Sequence, residues 1–437
     1  MQYDAIVIGG GPGGSAVATF LARSGRRVLV LEKEYFPRFH IGESLLPYNN
    51  SIFEEMGVKK TLETAGFPKK FGAQFHLSNS SKSLKLCFRN GKYTRHLSSI
   101  QVERSKFDHI LLQHAQASGA EVRQGWTVTK FVNDHNHVSV TARDENGKTE
   151  AFEALFLLDA SGRGNFTGSQ ENLRVIHPHL KKLSIFGHFE GVRLDPGEPR
   201  GDTVIVRFEN KWFWLIPISE TKVSVGVVMD QEEFTKVRQP PAELFKRIWK
   251  SSSHMRERME NSRPVSNIQT TGDFSYHNRR LVGPRLLRVG DAAGFIDPIF
   301  STGVFMAMHT GRSAAMAVEK ALAAGNDGAR GLKKYEKRVF KVMRYYWRMV
   351  EEFYTLPFME LFVQPRDRVR LVDAIVAILA GELEGGWRIE WRRWLFLTLV
   401  KIHTRRRIVP AISFEENGVE TQAACEREES AVETESL

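Results

Sequence analysis

The sequence predicts an α/β protein: a Rossmann-like domain, interrupted by a β-rich insertion and followed by a mostly helical C-terminal region. Three observations carry this. At the N-terminus DAIVIGG reads as a buried strand, GPGGSAVATFLARSG as a turn and helix, and RVLVLEK as a second strand, a βαβ unit. From about residue 180 to about 280 the short apolar runs SIFGHFEGV, TVIVRFEN, KWFWLIPI and KVSVGVVM have the composition of strands. Beyond about residue 300 the pattern is helical as far as about residue 410.

The elements between follow the same logic. SKFDHILLQHAQASGA has helical periodicity; EVRQGWTVTKFV and HVSVTARDENGKTEAFEALFLLDA read as strands, with DENG as a hairpin turn. RLLRVGDAAGFIDP returns to strand, turn and helix. The expected division is residues 1–175 and 270–330 for the Rossmann-like domain, 176–269 for the β-rich domain and 331–413 for a helical, substrate-covering region. Residues 414–437 are acidic and nearly free of apolar side chains, so they are expected to be disordered. In KWFWLIP, strand alternation turns Trp212, Trp214 and Ile216 to one face and Phe213 and Leu215 to the other, as in a strand buried on both sides.

A chain of 437 residues can bury a large core. Its two cysteines, Cys87 and Cys425, match no metal spacing and make no disulfide framework, which predicts a reducing compartment, the cytoplasm. MQYDAIVIGGG lacks the pattern of a signal peptide, and the apolar run LVDAIVAILAGE is too short to span a membrane. Much of the net charge of +11 sits in RVFKVMRYYWRMV, RDRVR and WRRWLFLTLVKIHTRRR. A solvated helix face is the ordinary reading of such runs. No nucleic-acid module is recognisable. WRRWLFLTLVKIHTRRR mixes Trp, Leu and Phe with Arg as interfacial helices do, which leaves peripheral membrane contact open.

Gly9, Gly11 and Gly14 form GxGxxG directly after a strand and at a helix start, where the backbone can approach a pyrophosphate. Glu32 ends the second strand, where a carboxylate accepts a ribose hydroxyl. This context indicates a dinucleotide and does not separate NAD from FAD. Arg104 opens a helix after a strand, Asp159 ends the strand before SGRGN, and Asp291 ends another before small residues, Gly294 among them, and a helix. In this order they resemble the FAD-binding, glutathione-reductase-type scaffold of flavin monooxygenases and their relatives, over nearly the whole chain. No second GxGxxG is visible, so the electrons are expected from a separate NAD(P)H-dependent flavin reductase.

WFWLIP fits the WxWxIP motif of flavin-dependent halogenases. GFIDPIFSTGV fits a second pattern of that family, with Phe295, Pro298, Ser301 and Gly303 in place. KKFGAQF, SIFGHFEG and FYTLPFMELFVQP resemble the branch acting on phenols or pyrroles, some of them carrier-bound. The resemblance implies that a C4a-hydroperoxide of reduced FAD oxidises chloride or bromide to hypohalous acid. The oxidant then crosses a tunnel to a lysine that presents halogen to an electron-rich ring. By family position that lysine is Lys70, with Lys69 its solvated neighbour. The amine acts either as an ammonium hydrogen-bonded to hypohalous acid or, neutral, as a haloamine. Trp212, Phe213, Trp214, Ile216 and Pro217 would form a barrier keeping organic substrate from the oxidant. Ser301, Thr302 and Gly303 would bind halide through N–H groups at a helix start, the Ser301 hydroxyl either joining in or only capping the helix. HIGESLLP would pass by the flavin, with Gly42 and Ser44 allowing close approach and Glu43 structural. Where tryptophan halogenases carry a glutamate before the serine, this chain has Phe300, so a tryptophan held by that glutamate is not expected. His188 and His309 are given no function.

Three other readings share these features, one of them a non-catalytic flavoprotein that only binds a partner or cofactor. WFWLIPISETKVSVGV partly fits the motif of flavin-dependent reductases of prenyl double bonds, though Ile216 stands where that family has Phe. An aromatic hydroxylase would need its substrate at the flavin ring, which an aromatic barrier obstructs.

Overall fold

The computed structural model describes residues 3–364, 371–382 and 386–414, apart from the side chains of residues 273–274. The expected acidic tail lies, from residue 415 onward, outside the described residues.

The first sheet grows from Tyr3–Ile8, every residue of which is buried except Asp4. It pairs in parallel with Val28–Glu32 on one side and Thr149–Asp159 on the other. Glu121–Gln124 extends one edge and Leu286–Arg288 the other, both parallel. Such strands are apolar on both faces because helices cover both. Pro12–Arg23 packs closely against the sheet because its first turns are small: a Cβ on Gly14 would stand 1.9 Å from the Gly9 carbonyl oxygen. The long helix Thr302–Ala323 crosses it equally closely, with Gly311 over the Gly13 carbonyl.

The second sheet has nine strands among the described residues. Its centre is the antiparallel run Arg174–Glu190, Val223–Asp230, Trp212–Pro217 and Thr203–Arg207. Gly72–Leu77 joins it in parallel beside Thr203–Arg207, followed by Ser83–Cys87. Residues 72–87 of the N-terminal stretch therefore belong to this sheet rather than to the Rossmann-like one. The alternation in Trp212–Pro217 divides two cores. Trp212, Trp214 and Ile216 join the large cluster shared with the first sheet. Phe213 and Leu215 join a separate one. The second cluster is closed by Pro241–Lys250 and Ser253–Met259 through Leu244, Phe245, Ile248, Met255 and Met259. With Gln231–Val237, these helices lie inside a stretch whose sequence reads as β-rich. Pro241 at the first turn and the Leu244, Phe245, Ile248 spacing are their signal, on segments too short to outweigh the strands around them.

Helices Ala329–Phe353, Leu356–Phe362, Leu371–Leu379 and Gly386–Arg405 complete the chain, and no helix among the described residues is long and apolar enough to cross a membrane. Leu215→Ala should destabilise the fold by about 2–5 kcal/mol in denaturant unfolding, since Leu215 is fully buried in the outer cluster. The cavity described below should be unaffected.

Candidate functional site

Between the two sheets lies a cavity of about 530 Å³. One part is built by the glycine-rich turn. Gly9 takes φ +95, and a Cβ there would meet the Ala160 carbonyl oxygen at 2.5 Å, so only glycine fits. Gly11 and Gly13 line the cavity, and helix Pro12–Arg23 has no side-chain cap over its first turn. Its N–H groups thus face the space where an anion would sit. Glu32 lines the same space, accepting from Gly10 N at 2.6 Å and Glu34 N at 2.9 Å. Asp291 also lines it. The uncapped turn, the two carboxylates and the cradle at Gly11, where a Cβ would have no neighbour closer than 3.5 Å, fit FAD.

Residues 38–44 cross the cavity as a strap. Arg104 holds it: Nη1 donates to the carbonyls of Ile41 (2.7 Å) and Gly42 (3.2 Å), while Nε and Nη2 pair with both oxygens of Asp108 at 2.8 Å. Burial disfavours the Arg104 cation, but Asp108 outweighs it and raises the guanidinium pKa above its ordinary value. Arg38 adds a bond to Asp108 at 3.0 Å. Burial, together with Arg104, pushes the His40 imidazole down to about 4. Gly42, at φ +101, lets the strap turn so that Glu43 and Ser44 line the cavity.

The far wall is the inner face of the second sheet. Trp212, Trp214 and Ile216 line it beside Thr203, Ile205 and Ser184. The two indole rings stand 5.9 Å apart. Trp214 Nε1 donates to Ser224 Oγ at 3.1 Å, and Trp212 Nε1 to the Tyr354 hydroxyl at 2.9 Å. Tyr354 in turn donates to Asp297 Oδ2 at 2.7 Å. Burial, reinforced by Asp297, raises the Tyr354 pKa well above the ordinary phenol value, so it remains a donor. Asp297 is fully buried and accepts from Ile299 N, fixing the turn that leads to Ser301. A three-residue chain thus joins the wall, a C-terminal helix and the loop at the start of Thr302–Ala323.

In that loop Ser301 adopts φ +55, a left-handed conformation rare for serine, and makes no capping bond with its side chain. Ser301 and Gly303 line the cavity together with Pro298. Thr302 is 2% exposed and does not.

Lys70 is fully buried one hydroxyl away. Its Nζ donates to Ser44 Oγ at 2.8 Å and to the Leu45 carbonyl at 3.3 Å. Ser44 Oγ shares a 2.8 Å hydrogen bond with Thr203 Oγ1, and both residues line the cavity, while Lys70 lies behind them. Burial pushes its pKa down to about 8, with Asp202 opposing. Asp202 is the acidic group that the sequence did not reveal; it accepts from Phe71 N at 3.1 Å. Lys69 is exposed, as expected. Strand Lys69–Lys70 is pinned where Gly201 approaches it: a Cβ on Gly201 would lie 1.8 Å from the Lys69 carbonyl oxygen.

Several expected site residues serve the fold instead. Asp159 is fully buried and spends its carboxylate on Ser161 N, Thr167 N and Thr167 Oγ1. Gly14 and Gly294 do not line the cavity; they permit close backbone packing, Gly294 against Tyr276 and Met343. Phe213 faces the outer core and packs at a tilt against Phe245, and Pro217 also lies off the cavity. In their place the structure brings in Arg38, His40, Trp126, Arg163 and Thr203. Of these, His40 opens the HIGESLLP segment expected beside the flavin and Arg163 lies in the glycine-containing turn SGRGN; the others carried no local signal.

The FAD binding domain family matches residues 2–350. The chain is 32% identical over 415 residues to the 1H-pyrrole-2-carbonyl-[peptidyl-carrier protein] chlorinase of Pseudomonas fluorescens, covering 89% of this chain and 91% of that one. It is 31% identical to the corresponding brominase of Pseudoalteromonas luteoviolacea, over 79% and 86% of the two chains. Among solved structures, that of the flavin-dependent brominase Bmp2 superposes with a TM-score of 0.83 at 29% identity, covering 93% of this chain and 100% of that one.

Two outcomes test this geometry. Gly11→Ala should leave thermal stability unchanged and weaken FAD binding at least about tenfold in a fluorescence titration, whereas Gly14→Ala should lower stability itself. The folded Lys70 amine titrates near 8 and the unfolded one near 10.5, so between those values the unfolded chain binds the extra proton. Stability from Lys70 therefore rises with pH across that window, and Lys70→Met should remove that rise in denaturant unfolding at paired pH values.

Proposed function

We propose that this chain, which belongs to the flavin-dependent halogenases, moves halogen from chloride or bromide to an electron-rich pyrrole- or phenol-type ring through Lys70. The observation that carries this reading is the buried Lys70 amine, one hydroxyl removed from the flavin cavity and behind Ser44 and Thr203. Reduced FAD, recharged by a separate flavin reductase, supplies with oxygen the two-electron oxidation of halide to hypohalous acid. The chain's own residues do the rest. The Gly303 backbone holds the halide through its N–H at the start of helix Thr302–Ala323, where an anion is favoured, the Ser301 N–H being spent on the Pro298 carbonyl. Trp212, Trp214 and Ile216 keep the organic ring and bulk water from the oxidant. Ser44 and Thr203 mark the passage toward Lys70.

An ammonium has three donors, and Lys70 spends two, on Ser44 and Leu45. The third is available to hypohalous acid and polarises its halogen toward the ring. The names of the relatives support a substrate tethered to a carrier protein. Helix Gly386–Arg405 supports it too: Arg392 lies 5.2 Å above the Tyr93 ring, in the loop that follows Phe88, and the Phe88 ring is 5.6 Å from Lys70 Nζ. Around this approach Trp387 and Trp394 are exposed beside Arg388, Lys401 and Arg405, a surface suited to an acidic carrier.

The test is turnover with FAD, a flavin reductase, NADH, oxygen and bromide on free and carrier-bound pyrroles and phenols, read by mass spectrometry. Lys70→Met should lower bromination at least about a hundredfold while FAD binding persists. The parent rate should fall as pH rises through about 8, where the ammonium is lost. A rate that climbs through that pH would instead favour the haloamine.

A further inference from the structure

The reaction proposed above has a proton requirement. Reduced FAD, oxygen, halide and one proton give FAD, hypohalous acid and water: two electrons from the flavin and two from the halide reduce the oxygen. One proton must enter from solvent in each turnover, into a cavity whose aromatic wall keeps water out.

We propose that Glu43 and His188 form the relay that carries this proton. Glu43 lines the cavity and is 1% exposed. Its Oε1 shares a 2.7 Å hydrogen bond with His188 Nε2, while Oε2 is buried without a partner. A buried carboxylate oxygen left unpaired at a cavity edge is costly and calls for a ligand or a proton. The strap backbone is fixed beneath it, since Val102 N donates to the Glu43 carbonyl at 2.7 Å. His188 does not line the cavity, yet its side chain keeps 10% of its surface, against 1% for Glu43. It meets solvent beside Phe39, whose ring is 5.8 Å away and half exposed. The pair therefore spans from outside to inside.

In each turnover Oε2 of protonated Glu43 releases its proton into the cavity, and Oε1 takes one from His188 Nε2. Solvent then refills the imidazole at Nδ1, and rotation of the carboxyl, with return of the imidazole to its Nε2–H tautomer by proton exchange with solvent, resets the pair. The other charged groups nearby are committed. Arg104, whose field acts on Glu43, is held by Asp108, as is Arg38, which also pairs with Glu34. His40 Nδ1–H donates to the Ile41 carbonyl and, buried, the imidazole stays uncharged at neutral pH.

The test compares the parent with Glu43→Gln and His188→Ala in three measurements. In FAD-free protein, Glu43→Gln should shift the His188 Nε2 nitrogen resonance. With FAD, halide and a β-diketone trap for hypohalous acid in place of an aromatic substrate, both variants should slow trapping about a hundredfold. Added imidazole should restore His188→Ala, with the FAD Kd within about twofold of the parent throughout. Unchanged trapping, or a loss that imidazole does not restore and that accompanies weakened FAD binding, would overturn the relay. A parent that traps no hypohalous acid would instead sink the halogenase mechanism, and the relay with it.

Discussion

The two-sided burial of Trp212–Pro217 is the constraint on which the rest depends. Each large side chain on this strand contributes about 1.5–3 kcal/mol by leaving water, and they point in both directions, so the strand is clamped between two cores. The Trp212 to Tyr354 hydrogen bond adds about 1 kcal/mol. Packing therefore sets where the wall stands, and the hydrogen bond sets how the indole is turned. Because Tyr354 also holds Asp297, the orientation of the wall and the conformation of the Ser301 loop are linked. The strained Ser301 backbone persists because the structure around it is already fixed.

The same clamp accounts for the electrostatics. Thr203–Arg207 is the neighbour of the wall strand, and it carries Thr203 to Ser44 and stands next to Asp202 and Gly201. A lysine without a counter-charge in so dry a place would lose most of its positive character. Asp202 opposes that loss through its charge, with its carboxylate turned to the Phe71 backbone. The outcome is an amine that titrates close to neutrality. On the other side of the cavity, Arg104 and Asp108 are so completely paired that they act as a brace for the strap rather than as a titrating site.

The sequence made the scaffold legible wherever a residue has one local purpose. The GxGxxG turn and the alternation of KWFWLIP stand where their spacing puts them, and the buried Lys70 beside an exposed Lys69 stands where the family resemblance put it. It was less informative where a residue type serves two ends. Asp159 and Asp291 both end strands before turns, yet Asp159 is consumed by Thr167 while Asp291 faces the cavity; only the fold separates them. Phe213 belongs to the motif but, by the parity of the strand, not to the cavity. Asp202, Thr203 and Arg38 were missed because their partners are distant in sequence and no periodicity announces them.

Phe300 bears on the choice of ring. It is buried and packs edge-on against Phe353, so no carboxylate is offered from that position. Asp202, the acidic group that acts on Lys70, has its carboxylate directed to the Phe71 and Gly72 backbone N–H groups just after the Lys70 strand. A ring that needed a protein base to become nucleophilic would find none here among these groups. A phenol or a pyrrole brings its own electron density through oxygen or nitrogen. On the function proposed above, the lysine is left with one task, to orient and polarise the halogen, and the proposed acid–base work falls on the flavin side of the wall, where Glu43 faces the cavity.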